Sequence, residues 1–293
     1  MKRSHRCCTY AVALDGEMSD GEIRSVARYL STLSLAGCEV LIVDNCSPEQ
    51  FEDHRRVLRW VGRHVAGAFG ITVSAAELAS CEKVIVAVAD SRYTASEVES
   101  ICELLDRHEV VEPEEYVHPL PWWGAIDAAR VLIRRGVDQL PRSTFAFRRS
   151  AFRDHGALPG YRAKNVFVRR EPPRLASWLK LRPREASADL FFLAFLPLLI
   201  VLAVIGGMQV AADGAGLIAF ASIGLAVRGR TGARKFFPMR ACLYAPLWIA
   251  ERSLSVYWAL FDALRAVPAA RLKGMSVGVT TPRETNGSAS TIA

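Results

Sequence analysis

The chain has 293 residues, of which 51% are hydrophobic and 23% are charged, enough for one α/β domain of ordinary size plus an appendage. This composition excludes wholesale disorder, a collagen-like chain and a disulfide scaffold. The formal net charge is +7.

The excess of positive over negative charge lies mainly in two short segments. Residues 1–161 carry a net charge of −4, whereas residues 162–184 carry +7 and residues 228–240 carry +5. These two segments flank the most apolar part of the chain, which is the pattern of a membrane boundary. The distribution argues against a general nucleic-acid binder.

Cysteine and histidine usage predicts a cytosolic domain without zinc. The seven cysteines form no C-x-x-C pair, which favours reduced thiols. The six histidines share no metal-ligand spacing. The first 14 residues lack the long apolar core and cleavage site of a signal peptide, so we expect the domain to stay in the cytoplasm.

Apolar strands alternate with amphipathic helices, which predicts an α/β domain with a mostly parallel sheet and flanking helices. A Ser96-x-x-Glu99 capping box is expected at one helix start. The predicted strands are 9–14, 38–43, 83–88, 109–112 and 143–148, and the predicted helices are 21–37, 48–65, 94–108, 122–137 and 150–155.

Three predicted strands end in an acidic residue: Asp15, Asp44 and Asp90. Ligands of parallel sheets bind beyond the carboxyl ends of the strands, so these carboxylates mark the candidate site. Two other interpretations stay open, because Asp is common in turns and Asp90 can cap the following helix. The sequence has no GxGxxG and no Walker loop, which disfavours a Rossmann dinucleotide site or a P-loop.

The C-terminal half predicts a transmembrane hairpin. Leu190 to Ala212 is a 23-residue run without charge, and a bilayer core needs about 20 such residues. The uncharged run from Gly214 to Val227 follows after Asp213, so we expect a turn there and a return. Since both ends of the hairpin are basic, the domain and both ends face the cytoplasm.

Residues 241–264 are apolar but carry Glu251 and Arg252 at their centre. An interfacial or re-entrant helix and a third span both remain open, the first being favoured. The predicted organisation is a domain at 1–161, a basic membrane-proximal segment at 162–189, a hairpin at 190–227, a basic loop with the third helix at 228–275 and a flexible tail at 276–293.

Several segments together resemble one known family. Val40 to Ser47 is an apolar strand that ends in Asp-Asn-Cys-Ser, Asp15-Gly16-Glu17 follows the first strand, and Ala89 to Thr94 contains a single Asp before a helix. The segment from Trp178 to Arg184 precedes the apolar runs. In order and spacing, these segments resemble the family-2 glycosyltransferases of GT-A fold in their bacterial, membrane-attached form.

The resemblance implies an inverting transfer of a sugar from a nucleotide-sugar donor to a lipid-linked or membrane-proximal acceptor. It implies donor contacts from Asp15, Glu17, Asp44 and Asp90, with Mg²⁺ or Mn²⁺ weakly held at Asp90. It also implies contacts to the acceptor or the diphosphate, carried by Trp178, Arg182 and Arg184. Those two arginines can instead anchor the domain to anionic lipid.

The chain departs from the family pattern at three points. The metal motif keeps one carboxylate, Leu181 stands in place of a Gln, and no clear general base follows Tyr161. Between Tyr161 and Leu190 the acids are Glu171, Glu185 and Asp189. Two alternatives therefore stay open: a catalytically impaired relative that serves as a scaffold or partner of another membrane protein, and an unrelated membrane α/β protein.

Overall fold

The structure is a computed structural model that describes residues 8–14, 18–67, 71–138, 144–155, 160–186 and 190–275. It divides into two compact units. The first unit comprises Met1–Arg174 and Ala219–Trp248, and the second comprises Leu175–Ile218 and Ile249–Ala293. The predicted tail at 276–293 lies outside the described residues.

The first unit is built on one eight-stranded sheet with the order β3-β2-β1-β4-β7-β6-β8-β5. Four of its seven neighbouring pairs are parallel and three are antiparallel, so the described sheet is mixed. The strands are β1 Cys8–Leu14, β2 Glu39–Asp44, β3 Arg63–Ala66, β4 Lys83–Val88, β5 Ser91–Arg92, β6 Val110–Val117, β7 Phe145–Arg148 and β8 Tyr161–Arg170.

Helices cover both faces of this sheet. Along β2, Val40 and Ile42 pack into a core shared with helices α1, α2 and α4, while Leu41 and Val43 pack into a second core against α3. This alternation explains why the strand is a continuous apolar run. The helices are α1 Asp20–Leu35, α2 Pro48–Leu58, α3 Ile71–Leu78, α4 Ala95–Leu105, α5 Trp122–Gly136, α6 Arg149–His155, α7 Leu175–Ala186, α8 Phe195–Gly229, α9 Met239–Leu243 and α10 Ala245–Met275.

Two predictions, for the end of α2 and for the capping box of α4, are wrong. Helix α2 ends at Leu58, and the remainder of its predicted range contains the strand Arg63–Ala66. The capping box of α4 is formed by Thr94 and Glu97 instead of the expected Ser96 and Glu99. The Thr94 hydroxyl accepts from the Glu97 backbone N–H, two residues earlier than the sequence pattern predicted.

Strand β8 was not predicted. Residues 162–170 belong to the basic segment expected beside the membrane, yet they pair in parallel with β6. Val166 and Val168 pack on the first core, while the basic side chains occupy other positions of the strand. The sequence did not predict this strand because it is rich in basic residues and only some of its positions are buried.

The long apolar helix is interrupted at Gly207 and not at the predicted turn. Within α8, Gly207 has φ 81° and ψ 168°, which are not helical values, whereas Asp213 and Gly214 lie inside the helix. The predicted turn at Asp213 is therefore wrong. Among the described residues, the helical stretch Ile200–Gly229 is the one that is long and apolar enough to cross a bilayer.

The chain after this helix is fastened to the first unit. Gly229 lies so close to the Leu132 carbonyl that a Cβ would not fit. The Arg135 Nε donates to the Gly229 carbonyl over 2.7 Å, and Phe236 stacks on Phe167 with 4.0 Å between ring centroids. Residues 219–248 are thus an integral part of this unit.

The cysteines differ in one place from the expected reduced thiols. Cys8, Cys38, Cys46, Cys102 and Cys242 are free. Cys81, which precedes β4, is disulfide-bonded.

Candidate functional site

The carboxyl ends of three neighbouring parallel strands are level. Leu14 at the end of β1 lies opposite Asp44 at the end of β2, and Ala13 lies opposite Val88 at the end of β4. Chain order along the sheet reverses at β1, because β2 and β3 lie on one side of it and β4 on the other. In open α/β sheets, a ligand crevice forms at such a switch point.

Asp44 lies at this edge and is buried, with 2% of its surface exposed. Its Oδ1 accepts from the Cys46 backbone N–H over 3.0 Å. Its Oδ2 lies 2.8 Å from His54 Nδ1 and 3.0 Å from His64 Nε2, and the His64 ring stacks on Phe51. This carboxylate is therefore enclosed by partners from α2 and β3.

These contacts set the protonation of the group. Burial alone would raise the pKa of Asp44, but hydrogen bonds from Cys46, His54 and His64 outweigh it, so the pKa lies below its usual value. Burial lowers the pKa of His64 more strongly than Asp44 raises it. Asp44 is thus ionised at neutral pH, and the pKa of His64 favours the neutral imidazole.

Asp44, Cys46 and His54 also form a group whose ligand atoms lie within 4.8 Å of one another. Thiolate and imidazole ligands suit softer ions such as Zn²⁺, whereas Mg²⁺ prefers oxygen ligands. Sequence spacing gave no sign of this group, because it forms only when α2 folds back over the end of β2.

Asp90 follows β4 and has a different environment. Its Oδ1 and Oδ2 lie 3.1 and 3.2 Å from Arg170 Nε, and Oδ2 lies 2.6 Å from Arg170 Nη2. The same guanidinium reaches Glu115 Oε2 over 3.1 Å. The side chain of Asp90 is 31% exposed, so solvent or a ligand can reach it.

This arrangement does not fit a divalent cation at Asp90. A hard cation needs several oxygen ligands with free lone pairs, whereas both oxygens of Asp90 accept from one cation that is already in place. Arg170 lies between Asp90 and Glu115, and the two carboxylates raise its pKa above the usual arginine value despite its burial. Arg170 therefore stays charged and competes with any metal ion for Asp90.

Glu171 lies beside Asp90, a position the sequence did not reveal. Its backbone N–H donates to the Asp90 carbonyl over 2.9 Å, and its carboxylate pairs with Arg92 Nη2 over 2.7 Å. Of the three acids between Tyr161 and Leu190, Glu171 is thus at the strand-end edge. Glu185 belongs to the second unit, and Asp189 lies outside the described residues.

None of the other predicted site residues belongs to the described part of the first unit. Asp15 and Glu17 lie outside the described residues. Trp178 and Arg182 belong to the second unit, where both are buried and the Arg182 guanidinium lies 4.3 Å from the centroid of the Trp178 ring. Arg184 lies in α7, and its side chain is outside the described part of the chain.

The acids of the second unit engage these arginines. Arg182 Nη2 lies 3.4 Å from Glu185 Oε2, and Arg252 Nη2 lies 3.5 Å from the same oxygen. Arg182 Nη1 lies 4.0 Å from Glu251 Oε2. This network links α7 to α10 and gives Glu251 and Arg252 partners within the apolar first half of α10.

No protein-family model and no curated protein matches the sequence. Among solved structures, the chain is similar to mannosyltransferase PcManGT from Pyrobaculum calidifontis in complex with GDP-Man and Mn²⁺, with 16% identity, a TM-score of 0.49, and coverage of 88% of this chain and 87% of that one.

Two further similarities are weaker. Glucosyl-3-phosphoglycerate synthase from Mycobacterium tuberculosis, in complex with Mn²⁺ and UDP-glucose, has 16% identity and a TM-score of 0.39, covering 62% of this chain and 78% of that one. TarS 1-349 from S. aureus, in complex with UDP-GlcNAc, has 12% identity and a TM-score of 0.36, covering 85% and 90%. All three TM-scores are below 0.5.

Proposed function

We propose that the protein binds a nucleotide-sugar donor at the switch point and acts as a membrane-attached glycosyltransferase. The observation that carries the proposal is the level edge where β1, β2 and β4 end. There, Asp90 and Glu171 lie side by side next to arginines. Two of the segments that resemble family-2 glycosyltransferases, Val40 to Ser47 and Ala89 to Thr94, contain the ends of β2 and β4, which supports the choice of donor.

In this proposal Glu171 is the general base. An inverting displacement needs a carboxylate that accepts the proton of the attacking hydroxyl. Glu171 is partly exposed, with 38% of its side chain accessible, and its carboxylate pairs with the Arg92 guanidinium. The Arg92 guanidinium also lies 4.9 Å from the Tyr29 ring, which holds the pair in place.

Arg170 and Arg92 supply positive charge near the leaving diphosphate. A nucleotide diphosphate gains negative charge as the sugar departs, and fixed donors in a partly dehydrated site stabilise that charge. Mg²⁺ or Mn²⁺ at Asp90 is a competing proposal. Since the residues around Asp90 do not fit such an ion, we assign no step to it.

The membrane attachment is a second part of the proposal. A Cβ at Gly214 would lie 3.3 Å from Leu202 Cδ1, although residues twelve apart in a straight helix are about 18 Å apart. Together with the break at Gly207, this supports a hairpin. The basic residues that flank it support a cytoplasmic location for both of its ends. A lipid-linked or membrane-proximal acceptor follows from that placement.

A non-catalytic role is the second candidate. The ion pair between Asp90 and Arg170 favours it, because that pair occupies the carboxylate expected to hold the donor's metal ion. In this alternative, the protein binds a nucleotide or a partner membrane protein without transferring sugar.

The test is a binding titration of the detergent-purified chain with UDP-sugars and GDP-sugars, in the presence of Mn²⁺, Mg²⁺ or a chelator. No binding under any condition contradicts the transferase and the nucleotide-binding form of the second candidate. Binding without transfer, in the wild type, favours the non-catalytic role. If transfer occurs, Glu171→Gln should abolish it and leave donor affinity unchanged, whereas Glu52→Gln on the exposed face of α2 should change neither.

A further inference from the structure

The segment that follows the apolar helix exposes an unusual set of side chains. Between residues 227 and 247, every exposed side chain larger than threonine is basic or apolar. No acidic residue occurs between Gly214 and Ala250. We call this set the 227–247 surface; its members are Val227, Arg228, Arg234, Lys235, Met239, Arg240, Leu243 and Leu247.

The surface is rigidly supported. Phe237 is 2% exposed and Ala241, Cys242 and Ala245 are fully buried, so α9 and the start of α10 turn one side into the protein. Met239 and Leu243 are one helical turn apart and lie on the other side. Both belong to the first unit, which holds them through its contacts with α5 and the sheet.

The apolar part of the surface needs an apolar environment. Leu243 is 62% exposed, and Met239 and Leu247 are each about half exposed. Neighbouring apolar side chains that are exposed together on a supported surface mark a protein or membrane contact. All charged side chains of the surface are basic, so the surface favours an anionic partner.

Chain continuity identifies the contact. Arg228 lies in the last turn of the apolar helix Ile200–Gly229, so the 227–247 surface begins where that helix would leave the bilayer. Basic residues at such a position lie at the level of anionic headgroups, and each contributes about 1 kcal/mol to surface association. Apolar side chains beside them enter the boundary between headgroups and acyl chains.

We propose that the 227–247 surface docks on the headgroup layer of an anionic phospholipid leaflet, with Met239 and Leu243 inserted and the four basic residues in contact with lipid phosphates. The docking rests on the membrane attachment proposed above and is independent of donor binding. It holds the first unit, with its strand-end edge, at the membrane surface.

The experiment uses the full chain reconstituted in liposomes that contain lipids brominated in the acyl chain near the headgroup. Three tryptophan variants are compared with the wild type. Phe220→Trp, 78% exposed in the apolar helix, reports membrane attachment; Leu243→Trp reports docking; and Leu35→Trp, 89% exposed on α1, is the control. We expect the added tryptophan to be quenched at 220 and 243 but not at 35.

Charge variants test the lipid specificity. In liposomes with phosphatidylglycerol, Arg234→Gln/Lys235→Gln should shift the docking equilibrium, read in the Leu243→Trp background, by about 30-fold, since two basic residues are lost. Arg55→Gln/Arg56→Gln, an exposed adjacent pair on α2, should leave it unchanged. Phosphatidylcholine alone should reduce quenching more than the double variant does, because all four basic residues then lose their anionic lipid contacts.

Four results would overturn the proposal, and they are distinguishable. Quenching at 220 without quenching at 243 removes the docking and keeps the membrane attachment. Absence of quenching at 220 removes both, while donor binding in the titration above would still stand. Equal quenching at 243 with and without phosphatidylglycerol contradicts anionic recognition. If the tryptophan at 243 is shielded and the particle mass is doubled, the surface is a contact with a second copy of the chain.

Discussion

Asp44 and Asp90, at the ends of the strands on either side of β1, have opposite environments. Asp44 is enclosed by two histidines and a backbone N–H, whereas Asp90 is partly exposed and paired with a guanidinium. In the sequence, both are an Asp after an apolar strand. The difference shows that position at the edge decides where a ligand can bind, while side-chain partners decide which carboxylate the ligand can reach.

The largest expected effect is on stability and comes from Asp44. Asp44→Ala leaves two buried imidazoles without their shared acceptor; a hydrogen bond to a charged group contributes about 1.5–3 kcal/mol, so losing two of them costs about 3 kcal/mol or more. Thermal unfolding of the detergent-purified chain should show a large decrease in Tm. Asp53→Ala, an exposed residue paired only with Arg56, is the matched control. Equal effects would contradict the burial of Asp44.

The next effect concerns the partner of Asp90. Arg170→Ala leaves Asp90 and Glu115 without a cation, at a cost of about 2 kcal/mol, and partial exposure keeps it below the cost at Asp44. Arg170→Lys should recover only part of the loss, because an ammonium lacks the planar fork. A variant as stable as the exposed control Arg56→Ala would show that the ion pair contributes nothing.

A smaller effect concerns pH. Because the pKa of His64 is lowered in the folded state, the unfolded chain binds a proton first as the pH falls below about 6.5. The free energy of unfolding therefore decreases over that range, by at most about 1.4 kcal/mol per pH unit from this residue. The lowered pKa of Asp44 adds a further loss only below about pH 4.

The readout is the difference in pH dependence between wild type and His64→Gln. The variant should lose the slope just below pH 6.5 and keep the acid limb that belongs to carboxylates. His118→Gln, at an unrelated position, should leave the wild-type profile intact. A profile in which His64→Gln retains the full slope would contradict the assignment.

The sequence was sufficient for the central strands. β1, β2 and β4 are continuous apolar runs because helices cover both of their faces, and that pattern is readable without a structure. Strand β3, which includes exposed positions, and strand β8, which has basic residues near both ends, are not continuous apolar runs. Their pairing depends on neighbours that are far away in the chain.

The sequence predicted which acidic residues lie at the strand-end edge, but it did not predict the side chains that contact them. Asp44 and Asp90 were identified because strand ends are visible in the pattern. His64 is 20 residues from Asp44 and Arg170 is 80 residues from Asp90, so no local spacing indicates these contacts. Glu171 is recognisable as a member of the edge only once β8 is known to pair beside β5.

The central claim is that a nucleotide-sugar donor binds at the exposed end of β4. The direct measurement is the affinity of wild type, Asp90→Ala and Asp53→Ala for UDP-sugars and GDP-sugars by calorimetry, with folding checked by thermal unfolding. We predict that a folded Asp90→Ala binds its donor at least about tenfold more weakly, a loss of about 1.4 kcal/mol, while Asp53→Ala binds as the wild type does. Unchanged affinity in Asp90→Ala would contradict the account.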